Sequence, residues 1–279
     1  MSRCVLLTGG TGFVGRHILR HLRAENVQLR LVVRPGSVGK IPHRAAGTEE
    51  TITSRDLFAE SADWWANACR DVDTVIHAAW YAEPGIYLNS PNKLDCLAGT
   101  LQMAKGAAVA RVRRFIGIGT CAEYDSAVGN LSIDTPLRPT TPYAGSKAAA
   151  CFSLSTFLPS QGTVFAWCRL FYLYGEGEDP RRLVPYLRRQ LATGQPADLT
   201  SGEQVRDFYD VDLAGRDIVR VALGERQGPF NICSGVGITV REFAEKIADE
   251  FGARNLLRFG TRPPNPADPG ILVGIPTTI

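Results

Sequence analysis

Short apolar runs alternate with amphipathic stretches along the first two-thirds of the chain. Residues 4–7 are apolar and lead into Thr-Gly-Gly, a pattern that predicts a buried parallel strand. The next residues place Phe13, Val14, Ile18, Leu19 and Leu22 on one helical face. Residues 29–33, which end at Arg-Pro-Gly, predict a second strand, and 51–53 a third, weaker one. Residues 74–76, 114–118 and 165–170 predict three more strands. Between them, the stretch around Trp64 and Trp65, the run 94–110 and a segment opening near Pro142 read as helices. Strands alternating with helices at this spacing predict βαβ units, with right-handed crossovers that cover both faces of a parallel sheet.

Two later regions break the pattern. GEGEDPRR, from Gly175, is polar and turn-rich, so the chain is expected to leave the sheet until about Ala197. The stretch 251–279 is rich in Pro, Gly and Arg and reads mostly as loop. A length of 279 residues suits one large α/β domain, or a domain with a smaller lobe. A formal charge of only +3 argues against nucleic acid or a membrane surface as the main partner. The seven cysteines show no CxxC spacing, which excludes a zinc knuckle or redox pair and suggests reduced thiols in a cytoplasmic protein. The N-terminal apolar run is too short for a signal peptide, and no stretch approaches a membrane span.

Residues 8–15 read TGGTGFVG, with Gly9, Gly12 and Gly15 three apart between a strand and a helix. Such glycines let the backbone turn sharply, and the helix N-terminus offers free N–H groups to a pyrophosphate. Thr11, Phe13 and Val14 are expected at the same ligand; the alternative is a glycine turn with none. An acid at the end of the second strand would select NAD through the ribose 2′-hydroxyl. None lies between Asn26 and Thr48, and Arg34 stands there instead. A cation at that place favours a 2′-phosphate, so NADP(H) is expected over NAD(H); otherwise Arg34 stacks on adenine or faces solvent. Asp56, beside Leu57, offers a carboxylate to the adenine amino group, or is an ordinary loop Asp. Ala78 and Ala79 close the fourth strand after His77, where backbone can line a cofactor; His77 itself reads as structural. His17 and His21 share a helix face without a third ligand, so no metal is expected.

Residues 140–147 read TTPYAGSK, in which Thr141 is a credible N-cap and Pro142 a first helical residue. Tyr143 and Lys147 then lie one turn apart on one face. An ammonium beside a phenol lowers its pKa and makes Tyr143 a usable acid or base. Lys147 can also hold a nicotinamide ribose. Thr120 closes the fifth strand, where its hydroxyl can orient a substrate oxygen, or merely satisfy backbone groups.

Together these segments resemble the extended short-chain dehydrogenase/reductases, above all their nucleotide-sugar branch of epimerases, dehydratases and 4-keto reductases. The resemblance adds Gly99–Thr100, the run RLFYLYGEG at 169–177 and VRDFYDV at 205–211, and so covers nearly the whole chain. It implies an α/β Rossmann-type doubly wound parallel sheet with a small C-terminal substrate-binding lobe. The dinucleotide-binding part is expected at 1–174, with 205–232 returning to it, and the lobe at 175–204 and 233–279. It assigns the catalytic roles to Thr120, Tyr143 and Lys147. Arg206 matches an arginine that binds the nucleotide diphosphate, and Arg262 resembles a second; the plainer reading pairs Arg206 with Asp207 or Asp210.

The departures bear on chemistry. The 4,6-dehydratases carry Asp and Glu directly after the catalytic Thr, where this chain has Cys121 and Ala122, so elimination of water is not expected. Cys121 is instead placed at the substrate. Cys96 and Tyr172 stand where the family usually has Asn. Relatives usually continue past Ile279, so either the lobe is reduced or the sequence is truncated. The expected activity is NADPH-dependent reduction of a nucleotide-linked 4-keto-6-deoxy sugar, in deoxysugar or surface-polysaccharide biosynthesis. The alternatives are a 4-epimerase with tightly bound NAD, a reductase of another carbonyl compound, and a non-catalytic dinucleotide sensor. A homodimer through the helices around Thr100 and Tyr143 is implied.

Overall fold

The computed structural model describes residues 3–41, 49–265 and 268–279. Seven strands form one parallel sheet: β1 (Arg3–Thr8), β2 (Val27–Val33), β3 (Glu49–Thr53), β4 (Thr74–His77), β5 (Arg114–Thr120), then β7 (Val164–Leu170) and β11 (Gly228–Ile232), with β6 (Asn130–Leu131), β8 (Tyr172–Tyr174), β9 (Ala197–Asp198) and β10 (Val205–Asp210) lying elsewhere. The strand order is β3-β2-β1-β4-β5-β7-β11, which reverses direction between β1 and β4. That reversal opens a crevice above the C-terminal strand ends. The architecture is the Rossmann-type doubly wound sheet.

Each central strand is apolar on both faces because helices cover both. On one side Val5, Leu7, Leu29, Leu31, Ile76 and Ile116 pack with Ile18, Leu19 and Leu22 of α1 (Phe13–Leu22). On the other, Leu6, Val32, Val75 and Phe115 pack with Trp65 of α2 (Ala62–Ala68), Met103 of α3 (Asn92–Val109) and Leu154 and Leu158 of α4 (Pro142–Ser160). Each such aliphatic side chain, removed wholly from water, contributes roughly 1.5–3 kcal/mol. Local signals start the helices. Ser61 accepts from the Trp64 N–H at 3.2 Å, and Thr141 accepts from the Ala144 N–H at 3.2 Å with Pro142 at the first position.

The chain leaves the sheet through α5 (Leu183–Ala192) and returns through α6 (Val211–Leu223), which packs on α1, and β11. β10 pairs elsewhere: with β12 (Gly237–Thr239), with β8, and with β14 (Ile271–Gly274), which also pairs with β6. α7 (Val240–Asp249) and α5 bury Leu187, Leu191, Ala244 and Ile247 together. β13 (Leu257–Arg258) pairs with β9. The stretch expected to be mostly loop after Phe251 therefore contributes two strands. They are two and four residues long and paired with distant segments, so no local periodicity announces them.

Candidate active site

The glycine segment closes tightly on itself. Gly9 has φ +74°, and a side chain there would lie 2.6 Å from the Ala79 nitrogen. A Cβ on Gly15 would overlap the Gly9 carbonyl oxygen, so helix α1 and the turn touch through backbone alone. The Gly12 N–H donates to the Gly9 carbonyl at 2.9 Å. Gly12 is the N-cap of α1, without a side-chain cap and without an acid in the first turn. The first N–H groups of the helix thus remain for an anion, and Gly12 is exposed with Thr11, Phe13 and Val14 half-buried around it. This cradle fits the pyrophosphate of a dinucleotide.

Neighbouring strand ends complete the crevice. Arg34 is exposed at the end of β2 and opens the 3₁₀ turn Pro35–Lys40. Asp56 is exposed, and its Oδ1 accepts from the Phe58 N–H at 3.0 Å; Leu57 is half-buried against the core. Ala78 and Ala79 lie against Gly9. His77 is buried in a relay. The Ala79 N–H donates to Thr8 Oγ1 at 3.2 Å, Thr8 Oγ1 sits 2.9 Å from His77 Nδ1, and His77 Nε2 sits 2.9 Å from Thr100 Oγ1. Thr100 spends its proton on the Cys96 carbonyl at 2.7 Å, so it accepts from Nε2–H, and Nδ1 accepts from Thr8. Burial, with the Lys147 charge behind it, holds the His77 pKa down to about 3, so the ring is neutral. The relay ties β1, β4 and α3 together beneath the glycine turn, which gives Gly99–Thr100 a positional reason.

Thr120, Tyr143 and Lys147 converge at the ends of β5 and α4. The Thr120 N–H donates to Glu123 Oε1 at 2.8 Å, and its hydroxyl accepts from the Ala122 N–H at 3.3 Å. Tyr143 is half-buried, but its phenol end lies near Tyr87, Glu123, Thr120 and Cys121. Burial raises the phenol above its ordinary value, opposed by the hydrogen bond of Thr120. Lys147 is buried, with Nζ donating to the Ile118 carbonyl at 2.6 Å and lying 3.6 Å from the centre of the Trp80 ring. Burial lowers its pKa to about 7. The expected phenol of lowered pKa is thus corrected. The lysine is anchored on β5 and under Trp80, and withdrawal from water outweighs charge at both groups.

A model of the NAD dependent epimerase/dehydratase family matches residues 5–233. The chain belongs to that family. It is 23% identical over 254 residues to a dTDP-6-deoxy-L-talose 4-dehydrogenase (NAD(+)) of Aggregatibacter actinomycetemcomitans, with 90% of this chain and 91% of the relative covered. Among solved structures, a UDP-N-acetylglucosamine 4-epimerase of Methanobrevibacter ruminantium M1, in complex with UDP-N-acetylmuramic acid, superposes with TM-score 0.87 at 20% identity, covering 99% of this chain and 90% of that one. A double mutant of a dTDP-glucose 4,6-dehydratase of Streptomyces venezuelae, with NAD and DAU bound, superposes with TM-score 0.80 at 26% identity, covering 91% and 83%. The protein is an enzyme of this epimerase/dehydratase family, whose members here are nucleotide-sugar dehydrogenases, dehydratases and epimerases.

The turn after Thr120 carries Cys121, Ala122 and Glu123. Cys121 is buried among Tyr124, Leu131, Phe171, Cys233 and Leu272, and burial pushes its thiol up to about 12. Glu123, the one nearby carboxylate on this turn, is fully buried and accepts from Trp167 Nε1 at 3.0 Å and Arg169 Nε at 2.8 Å. It is a structural anion with no free lone pair aimed at chemistry. Tyr172, in the family's Asn place, lies under Arg206, with the guanidinium carbon 5.2 Å from its ring centre. Arg206 is buried and paired with Asp268 at 2.6 Å, a partner 62 positions away and neither of the two the sequence suggested. Alternation along β10 turns Asp207 away, and Asp210 is taken as the N-cap of α6, where its Oδ1 accepts from the Asp212 N–H at 2.7 Å. Asp207 points the other way, where its carboxylate accepts from the N–H groups of Ser234, Gly235 and Gly274. Arg262 is exposed and stacks on Tyr186 at 4.6 Å, apart from Arg206 in its contacts. A cleft of about 580 Å³ opens between residues 125–129, Arg138, Thr140 and 269–271; none of the three catalytic candidates lines it. Trp80, Tyr81 and Lys93 are neighbours of Lys147 and Tyr143 that sequence reasoning missed. An aromatic pair at 80–81, shortly after the fourth strand, was the available signal.

Proposed function

We propose that the protein reduces the 4-keto group of a nucleotide-linked 6-deoxy sugar, with NADP(H) preferred over NAD(H). The observation that carries this reading is the meeting of Thr120, Tyr143 and Lys147 beside a glycine cradle, with no free acid in the two positions after Thr120. Cys121 is buried and Ala122 is inert, so the site can exchange hydride and proton but lacks groups for eliminating water. The 4-dehydrogenase relative catalyses, by its name, an oxidation at the same carbon of a 6-deoxy sugar, which is this reduction reversed.

A bound nicotinamide supplies the hydride. Tyr143 carries the proton. Its raised phenol stays protonated at neutral pH, which suits a donor to the substrate oxygen, and the Thr120 hydroxyl shares that oxygen. Lys147, fixed by Ile118 and Trp80, gains and loses its charge near neutral pH on the helix turn below. Gly9, Thr11, Gly12, Phe13, Val14 and Gly15 would hold the pyrophosphate, with Arg34 at the 2′-phosphate, Asp56 and Leu57 at the adenine, and Ala78 and Ala79 along the crevice. Arg206 and Arg262 are the cations for the nucleotide diphosphate, and Cys121 lines the sugar end. The lobe would be 175–204 and 233–279, and two copies would meet through α3 and α4.

The test is a panel of dTDP-, CDP-, GDP- and UDP-4-keto-6-deoxyhexoses with NADPH and NADH, followed by loss of reduced-nicotinamide absorbance. Turnover with at least one, faster with NADPH, is expected. Stoichiometric bound NAD without net consumption would show an epimerase instead. Tyr143→Phe should lower kcat by at least about a hundredfold, as expected for loss of a positioned proton donor.

A further inference from the structure

Beside Tyr143 lies a second lysine that the reaction as described does not use. Lys93, in the first turn of α3, is fully buried. Its Nζ donates to the Tyr81 carbonyl and sits among three phenol rings, 4.9 Å from the centre of Tyr81, 5.5 Å from Tyr87 and 5.1 Å from Tyr143. Tyr87 in turn meets Tyr143 edge-on at 5.0 Å. Among the described residues no carboxylate pairs with Lys93. An ammonium withdrawn from water without a counter-ion is costly, and an aromatic cage offsets only part of that cost. The local chain organises the two cations together: Trp80 covers Lys147, and the next residue, Tyr81, holds Lys93.

We propose that Lys93 is a positioning residue for Tyr143, a second cation that clamps its ring and favours its phenolate. The inference rests on the reading of Tyr143 as the proton carrier. When the phenol O–H breaks and the proton passes to the substrate oxygen, the charge left on the ring lies beside the Lys93 ammonium, 5.1 Å from the ring centre across from α3. The other groups facing the phenol pull the opposite way. Burial, Tyr87, Glu123 and Cys121 raise it, and only the Thr120 hydrogen bond helps. Lys93 itself faces Cys96, and its charge also presses on Lys147. Without Lys93, the charge left by the departing proton would stand against all of these.

The experiment is a double-mutant cycle between Lys93 and Tyr143 in the full-length enzyme, read as kcat and KM near neutral pH with NADPH and a 4-keto-6-deoxy nucleotide sugar. Lys93→Met keeps the length and removes the charge; Lys93→Gln is the second neutral variant should the first fail to fold. Either should lower kcat about tenfold with KM nearly unchanged, and Lys93→Arg should keep kcat near the wild-type value. In the Tyr143→Phe background the same neutral substitutions should cost less than about twofold, because the group they act through is gone. Wild-type kcat in both neutral variants, or an equal loss with and without the Tyr143 hydroxyl, would overturn the proposal. Full activity of Tyr143→Phe would instead overturn the reading of Tyr143 itself.

Discussion

Lys147 is held in a place that works against its charge. Its ordinary pKa of 10.5 falls to about 7 in the fold, chiefly through burial. Below about pH 7 folded and unfolded chains both carry the proton, and the full penalty stands. Between about 7 and 10.5 the unfolded chain binds a proton that the folded one has released, so stability rises with pH across that window. Without cofactor, Lys147→Met should therefore have its largest Tm advantage over the wild type near neutrality, narrowing towards pH 10 as the penalty is relieved. Thermal unfolding of both proteins at several pH values decides it; a difference that stays flat across the window would contradict the assignment. His77 does not contribute there, because burial and the Lys147 charge keep it neutral down to about pH 3. A site lysine that titrates near neutrality is a cost accepted where charge has work to do.

At the scale of elements, the contact between β1, its glycine turn and α1 carries the cofactor proposal. Gly15 is buried in the first turn of α1, where a methyl group would overlap the Gly9 carbonyl. Gly15→Ala should push the helix off the turn, cost about 1–3 kcal/mol as overpacking does, and weaken binding of reduced nicotinamide cofactor more than tenfold. Calorimetry and cofactor fluorescence measure the two effects. Gly145 on α4 is the control, since a Cβ there meets nothing within 4 Å. Gly145→Ala should leave stability unchanged or raise it by up to about 1 kcal/mol through helix propensity. If both substitutions behave alike, close packing is not the reason for Gly15.

For the whole molecule, the unanswered surface is the outer face of α3 and α4. Leu94 and Phe152 are 68% and 61% exposed, and Ala98, Leu101, Leu154 and Phe157 line a shallow cavity of about 340 Å³ between the two helices. Two such faces meeting about a twofold axis would bury these side chains in a four-helix contact, the arrangement the family resemblance implies. Leu94→Glu combined with Phe152→Glu should convert a dimer into monomers, read by sedimentation velocity; an unchanged dimer would place the interface elsewhere, and a monomeric wild type would remove it. Among the described residues, no helix is long and apolar enough to cross a membrane.

Strands β1–β5 and β7, the glycine turn and the Thr141–Pro142 start of α4 were legible in the chain. Each depends on near neighbours: an apolar run between turn residues, glycines at fixed spacing, a hydroxyl three residues before an N–H. The second sheet was not, because Tyr172–Tyr174 and Ile271–Gly274 are too short for a period and find their partners far along the chain. Nor could the sequence tell that Arg206 would pair with Asp268, that Trp80 would roof Lys147, or that Lys93 would be drawn under three phenol rings. Identity and spacing name the groups that can do chemistry. Their protonation and reach are set by water exclusion and by charges on other elements, and those exist only once the chain has folded.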